Sequence, residues 1–182
     1  MHRLDIVTPA TRQAPALVSL SSDESAGVAV IRLCDPMQFN ALSHVLSCDL
    51  AEAVACALER SNARALSLQA AGPHFCVGGS PFGAHTQVPL STLATSGSVM
   101  ARACCALRIL PVAAAVHGHV VGGGMALALN ADMLVAESST TFEHGNLPRG
   151  VCPIAEFSQT LIGRLSAAAS ALYLKNTALR AP

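Results

Sequence analysis

Two glycine-rich stretches carry most of the chemistry that this 182-residue chain could perform. One is Phe75-Cys76-Val77-Gly78-Gly79-Ser80-Pro81-Phe82; the other holds Gly122, Gly123 and Gly124, between the apolar run Val112 to Val116 and the helix-forming stretch MALALNAD. Each follows a strand-like run, and the second leads directly into a helix. Glycine has no Cβ, so a ligand can come close to the backbone N–H groups of such loops. A single loop of this kind reads as a tight connection without a ligand more readily than as an anion site. Two of them could each offer one N–H to the same oxygen. That is how an acyl thioester is polarised as it passes through an enolate or a tetrahedral oxyanion.

Other reactive side chains give less. His117 and His119 are two apart, which on one strand would face them the same way, but further ligands at metal-binding spacing are missing, so hydrogen-bonding histidines are expected and no metal. The seven cysteines form no CxxC pair, which argues for buried thiols in a reducing compartment. Cys76 has no activating neighbour in sequence and reads as a buried thiol rather than a nucleophile.

Composition narrows the partners. Lys plus Arg and Asp plus Glu each total 11, so no basic surplus points to nucleic acid or an anionic membrane. No apolar run approaches the roughly 18 residues of a membrane span. Only 12% of residues are charged and 52% are hydrophobic, a sparing surface that suits a homo-oligomer or a partner domain. With one Tyr and no Trp, alanine and other small residues must fill much of the core. The N-terminus lacks the order of a secretory signal; a cytoplasmic location is expected, with mitochondrial or plastid import weakly suggested by its two arginines.

The elements that must position the loops alternate. Residues 1–15 read as a loose leader and residues 16–182 as one domain. Ala16 to Leu20 and Val28 to Leu33 form a hairpin, and Asn40 is a candidate N-cap for an amphipathic helix running to about Arg60. Arg64 to Gln69 is a strand, Ser91 to Leu107 a helix, and Met133 to Ala136 and Thr140 to Phe142 are short strands. Ile154 to Leu174 holds one or two helices broken near Gly163. The order is that of an α/β fold with largely parallel pairing.

Four segments in this order resemble the crotonases, the enoyl-CoA hydratase/isomerase superfamily. They are VAVIRLCDPMQFNALS, NARALSLQAAGPHFCVGG, LPVAAAVHGHVVGGGMALALNADMLVA and TFEHGNLPRGVCP, and the resemblance spans roughly residues 17–175. It implies a crotonase-like ββα spiral core, here without most of the family's C-terminal helical region. It implies acyl thioesters of coenzyme A, or of a carrier protein's pantetheine arm, as ligands, with no separate cofactor. It places the oxyanion donors at Gly79 and Gly123; His74, Cys76, Gly78, Ser80 and Gly122, in the same two loops, are the candidate substrate-binding residues. Asn130 and Asp132 look like structural supports of the helix end.

Family hydratases carry one glutamate where this chain has Ala126 and a second where it has Asn146. Alanine transfers no proton, and an amide has no useful pKa. His144, in the same loop, is the candidate acid or base, and Asn146 could orient water or a thioester substituent; Glu143 reads as a solvated carboxylate. The expected activity is therefore lyase or isomerase chemistry on an acyl thioester, decarboxylation included, through a stabilised enolate. The alternative is a non-catalytic crotonase-like module that binds acyl thioesters or a partner subunit.

Overall fold

Alternating apolar residues build the first strands. β2 (Val18–Asp23) and β3 (Val28–Leu33) bury every second side chain and pair antiparallel, Val18 opposite Leu33. The computed structural model describes residues 2–4, 15–60, 62–79, 90–150, 153 and 157–181. Within the leader expected to be loose, β1 (His2–Leu4) pairs antiparallel with β2. From β3 onward the sheet is parallel: β4 (Ala65–Ala70), β5 (Val112–Val116) and β7 (Met133–Ala136) follow in that order. Parallel neighbours need crossovers, supplied by α1 (His44–Arg60), α2 (Leu90–Leu107) and the short α3 (Gly123–Leu129). A second sheet joins β6 (His119–Val121), β8 (Thr141–Glu143) and β9 (Leu179–Arg180). α4 (Phe157–Leu165) and α5 (Ala167–Lys175) complete the chain. The expected α/β alternation with largely parallel pairing is the observed one.

The apolar period of α1 buries Leu46, Leu50, Ala53, Val54 and Ala57 against β2, β3 and α2. Each fully buried leucine contributes about 1.5–3 kcal/mol. Ala29, Ala114, Ala126 and Ala128 fill the core around α3 and the sheet, as the scarcity of aromatics requires.

Three local expectations are corrected. The α1 cap is Ser43, whose Oγ accepts the Leu46 N–H at 3.1 Å. Asn40 lies ahead of the helix in a left-handed conformation (φ 53°) and serves loops instead. The C-terminal helices divide at Ser166 (φ 46°), not at Gly163. His117 and His119 do not share a strand: Gly118 (φ 58°) turns the chain out of β5 and into β6 between them. A side chain at position 118 would collide with the Pro73 carbonyl, so the turn requires glycine.

Candidate active site

The first glycine loop is laced down on both flanks. On one side Phe75 N–H donates to the His117 carbonyl (2.9 Å), and Val121 N–H donates to that of Cys76 (3.0 Å). On the other, Val77 N–H donates to the Phe39 carbonyl (3.3 Å) and Leu42 N–H to that of Gly78 (2.7 Å). Gly78 has φ 88°, and a Cβ there would stand 2.7 Å from the Val121 oxygen and 3.3 Å from the Gly123 nitrogen. Only glycine allows the two loops to touch at this point.

The second loop spends its first donor. Gly122 N–H bonds the Glu143 carbonyl at 3.0 Å, and the Gly122 carbonyl accepts Ala126 N–H at 2.9 Å to open α3. Among the described residues, neither the Gly79 nor the Gly123 N–H has an acceptor. Gly79 is exposed and Gly123 half-buried. The two predicted donors thus lie on adjoining loops, with their neighbours' backbone groups already engaged.

The surrounding side chains divide into those near this junction and those turned away. Asn146 Oδ1 lies beside Gly122, where an added Cβ would approach it to 2.9 Å. Its amide makes no hydrogen bond among the described residues. Ala126 is sealed in the core at 1% exposure, so no side-chain group capable of proton transfer stands there. Cys76 is the buried thiol that its sequence surroundings suggested, so its side chain does not join the candidate ligand-binding residues; burial pushes the thiol up to about 12, which removes any thiolate at neutral pH. Ser80 lies outside the described residues.

His144 is nearly inaccessible, at 1% exposure. Its ring stacks on Phe157 (4.7 Å, 10°) and meets Tyr173 edge-on (4.8 Å, 86°). Nδ1 accepts the Asn146 N–H at 3.4 Å, and burial lowers the pKa, so the neutral ring keeps its proton on Nε2. His74 packs against Phe39 and His119 and accepts the His119 N–H at Nδ1 (3.2 Å). Burial, then the nearby His119 and His117, lowers its pKa. Glu143, read as a solvated carboxylate, is partly exposed and also engaged: Arg149 pairs with it at 3.3 Å and Asn176 Nδ2 donates to it at 3.0 Å. Asn176 Oδ1 also accepts the Gly145 N–H (2.7 Å), fixing the loop of His144 and Asn146 to the end of α5. Asn130 and Asp132 play the structural parts expected of them. Asn130 bonds the Ala126 carbonyl, and Asp132 accepts the Val112 N–H at 2.9 Å.

Sequence reasoning missed Asn40 and Asn176 as loop anchors. The signal was present, because asparagine is the non-glycine residue most at home in left-handed turns. Both have positive φ, 53° and 48°. Among the described residues no group of three His, Cys, Asp or Glu side chains could hold a metal ion, and no helix is long and apolar enough to cross a membrane.

The fold and the paired loops define a crotonase-type architecture. The chain belongs to the enoyl-CoA hydratase/isomerase family, whose sequence model matches residues 23–180. It is 35% identical over 132 residues to the probable enoyl-CoA hydratase of Rhodobacter capsulatus, covering 72% of this chain and 51% of that protein. It is equally identical over 130 residues to EchA14 of Mycobacterium tuberculosis, a probable enoyl-CoA hydratase, covering 69% and 49%. The chain therefore spans about half the length of the curated relatives it matches. Among solved structures, the enoyl-CoA hydratase of Mycobacterium smegmatis superposes with a TM-score of 0.82 at 25% identity, over 91% of this chain and 65% of that one. A Thermobifida fusca YX structure in complex with acetoacetyl-CoA has the same fold (TM-score 0.79, 23% identity, 91% and 69% covered).

Proposed function

We propose that this chain binds an acyl thioester, of coenzyme A or of a carrier protein's pantetheine arm, and polarises its carbonyl between the N–H groups of Gly79 and Gly123. The observation that carries this reading is the contact of the two glycine loops at Gly78 and Gly123, with no acceptor for either donor among the described residues. The acetoacetyl-CoA bound by the Thermobifida fusca YX protein of the same fold is a ligand of the proposed class. Each donor that meets a developing oxyanion is worth about 2.7–4 kcal/mol.

The reaction that asks least of these residues is loss of carbon dioxide from a malonyl-type thioester. The bond from the α-carbon to the carboxylate breaks, and its electron pair moves into the enolate, whose oxygen the two N–H groups hold. Water then returns a proton to the α-carbon. No base is needed at that carbon, which suits a site with Ala126 and Asn146 in place of carboxylates. In this reading the Asn146 amide, beside Gly122, hydrogen-bonds a substituent of the thioester. The enclosed His144 ring, with Nδ1 engaged, braces Asn146 in this reading and does not exchange protons with the ligand.

The second reading, a module that binds thioesters or a partner subunit without turnover, is favoured by the same sealed Ala126. One experiment separates the two. The protein and its Gly123→Pro variant are incubated with enoyl-, 3-hydroxyacyl- and malonyl-type CoA thioesters, and products are read by mass spectrometry. Proline at the first helical position removes the N–H; because its Cβ presses on Leu42 Cδ1, circular dichroism and the melting temperature establish that the variant is folded before turnover is compared. The catalytic reading expects turnover that falls about 10²–10³-fold in the variant; no turnover of any thioester leaves the binding module.

A further inference from the structure

Asn40 is a buried polar side chain with no place in the chemistry above. It is 0% exposed and sits at φ 53°. Its side chain reaches three separate points of the backbone. Oδ1 accepts the Asp35 N–H at 2.9 Å, and Nδ2 donates to the carbonyls of Ala71 (2.8 Å) and His74 (2.9 Å). Both Nδ2 protons are thereby spent on the two ends of the segment that leads into Gly78 and Gly79. The backbone beside it continues the same fastening. Phe39 accepts Val77 N–H, Leu42 N–H donates to Gly78, and Leu42 pairs with Gly79 as an isolated parallel bridge. The Leu42 side chain then meets the other loop: a Cβ at Gly123 would lie 2.6 Å from Leu42 Cδ1. One short stretch, 40–42, therefore touches the segments that carry both donors.

We infer that Asn40 is a positioning residue for the carbonyl-binding site: it ties the 71–79 loop to the 35–42 turn, and Leu42 sets how far Gly79 stands from Gly123. The inference rests on the reading of those two N–H groups as carbonyl donors. Its physical basis is the sensitivity of such sites to geometry, since a displacement of about 1 Å away from the reacting atoms costs on the order of 10²-fold. A buried asparagine with every side-chain polar atom satisfied costs little to keep and fixes a unique arrangement.

The test uses butyryl-CoA with a ¹³C-labelled thioester carbonyl, a saturated probe, and reads the carbonyl stretch of the bound ligand by difference infrared spectroscopy. Asn40→Gly tolerates the left-handed conformation and removes only the three tethers. A role confined to stability would lower the melting temperature and leave the bound carbonyl frequency unchanged. The expected result is a carbonyl shifted to lower frequency on the wild-type protein, with most of that shift lost on Asn40→Gly while the affinity for butyryl-CoA changes by only about threefold, because uniform binding contacts are untouched. A wild-type shift retained in full by Asn40→Gly overturns the inference and leaves the site reading intact. An unshifted carbonyl on the wild-type protein overturns both. Should Asn40→Gly fail to fold, Leu42→Ala carries the same measurement. It keeps the Asn40 tethers and removes the side chain against Gly123, so loss of the shift supports the inference and retention overturns it.

Discussion

At residue scale the proposed site offers two backbone donors and lacks the paired carboxylates of the family's hydratases. Gly79 and Gly123 offer N–H groups that no described residue accepts, while Ala126 and Asn146 occupy positions where family hydratases have carboxylates. His144 shows why a residue type alone misleads. Its position in the loop suggested an acid or base, yet aromatic rings of α4 and α5 enclose it. This enclosure has a consequence for stability. Burial holds the His144 pKa below its ordinary 6.5, so the unfolded chain binds the proton more readily than the folded one. The corresponding stability is fully present above about pH 6.5 and is lost as pH falls through the folded value. His144→Phe, which keeps an aromatic ring between Phe157 and Tyr173, should flatten the decline of melting temperature between neutral and mildly acidic pH. Some slope will remain, because the pKa of His74 is lowered too. An unchanged slope in His144→Phe would assign the acid sensitivity elsewhere.

At the scale of elements, α1 and the loops on either side of it decide the geometry. Ser43 caps α1 through the Leu46 N–H, so Ser43→Ala should cost about 1 kcal/mol of unfolding free energy, read from urea denaturation. A loss well below that would mean the Ser43 backbone and the bridge at Leu42 hold the helix start without the hydroxyl. Much of this layer was legible in the sequence. Period-3.6 apolar spacing predicted a helix from an Asn40 cap to about Arg60, of which α1 covers His44–Arg60; two strand-like runs around a polar turn predicted the hairpin, and the strand–glycine–helix order located the second loop. What was not legible involved contacts between distant segments. Asn40 looked like a cap because caps are local and its true partners, Ala71 and His74, are more than 30 positions away. The pairing of His117 with His119 failed because Gly118 bends between them, which the apolar pattern on either side does not reveal. Cys76 was legible as a buried thiol, and its bridge with Val120 is the distant contact that the sequence did not show.

At the scale of the whole molecule, the main sheet has two edges among the described residues, β1 and β7, and the second is apolar. β7 ends the sheet, and Met133 and Val135 are 63% and 58% exposed. An apolar edge strand is a template for pairing with another chain. Sedimentation should show association that grows with protein concentration, and Val135→Lys should shift the population toward monomer; equal sedimentation of both proteins at every concentration would show that β7 is no association surface. Beside that edge lies an apolar cavity of about 290 Å³, lined by Met125, Leu134, Phe142 and Leu165. It lies between α3 and the second sheet, with none of the proposed donors in its lining.

The central claim is that two backbone N–H groups from different loops hold one thioester oxygen. The infrared carbonyl frequency of ¹³C-labelled butyryl-CoA, bound to the wild-type protein and to Gly123→Pro, tests it most directly. A stretch displaced to lower frequency on the wild-type protein and returned toward the free-ligand value in Gly123→Pro is the predicted result. The same frequency for bound and free ligand, or a displacement that Gly123→Pro leaves untouched, would contradict it.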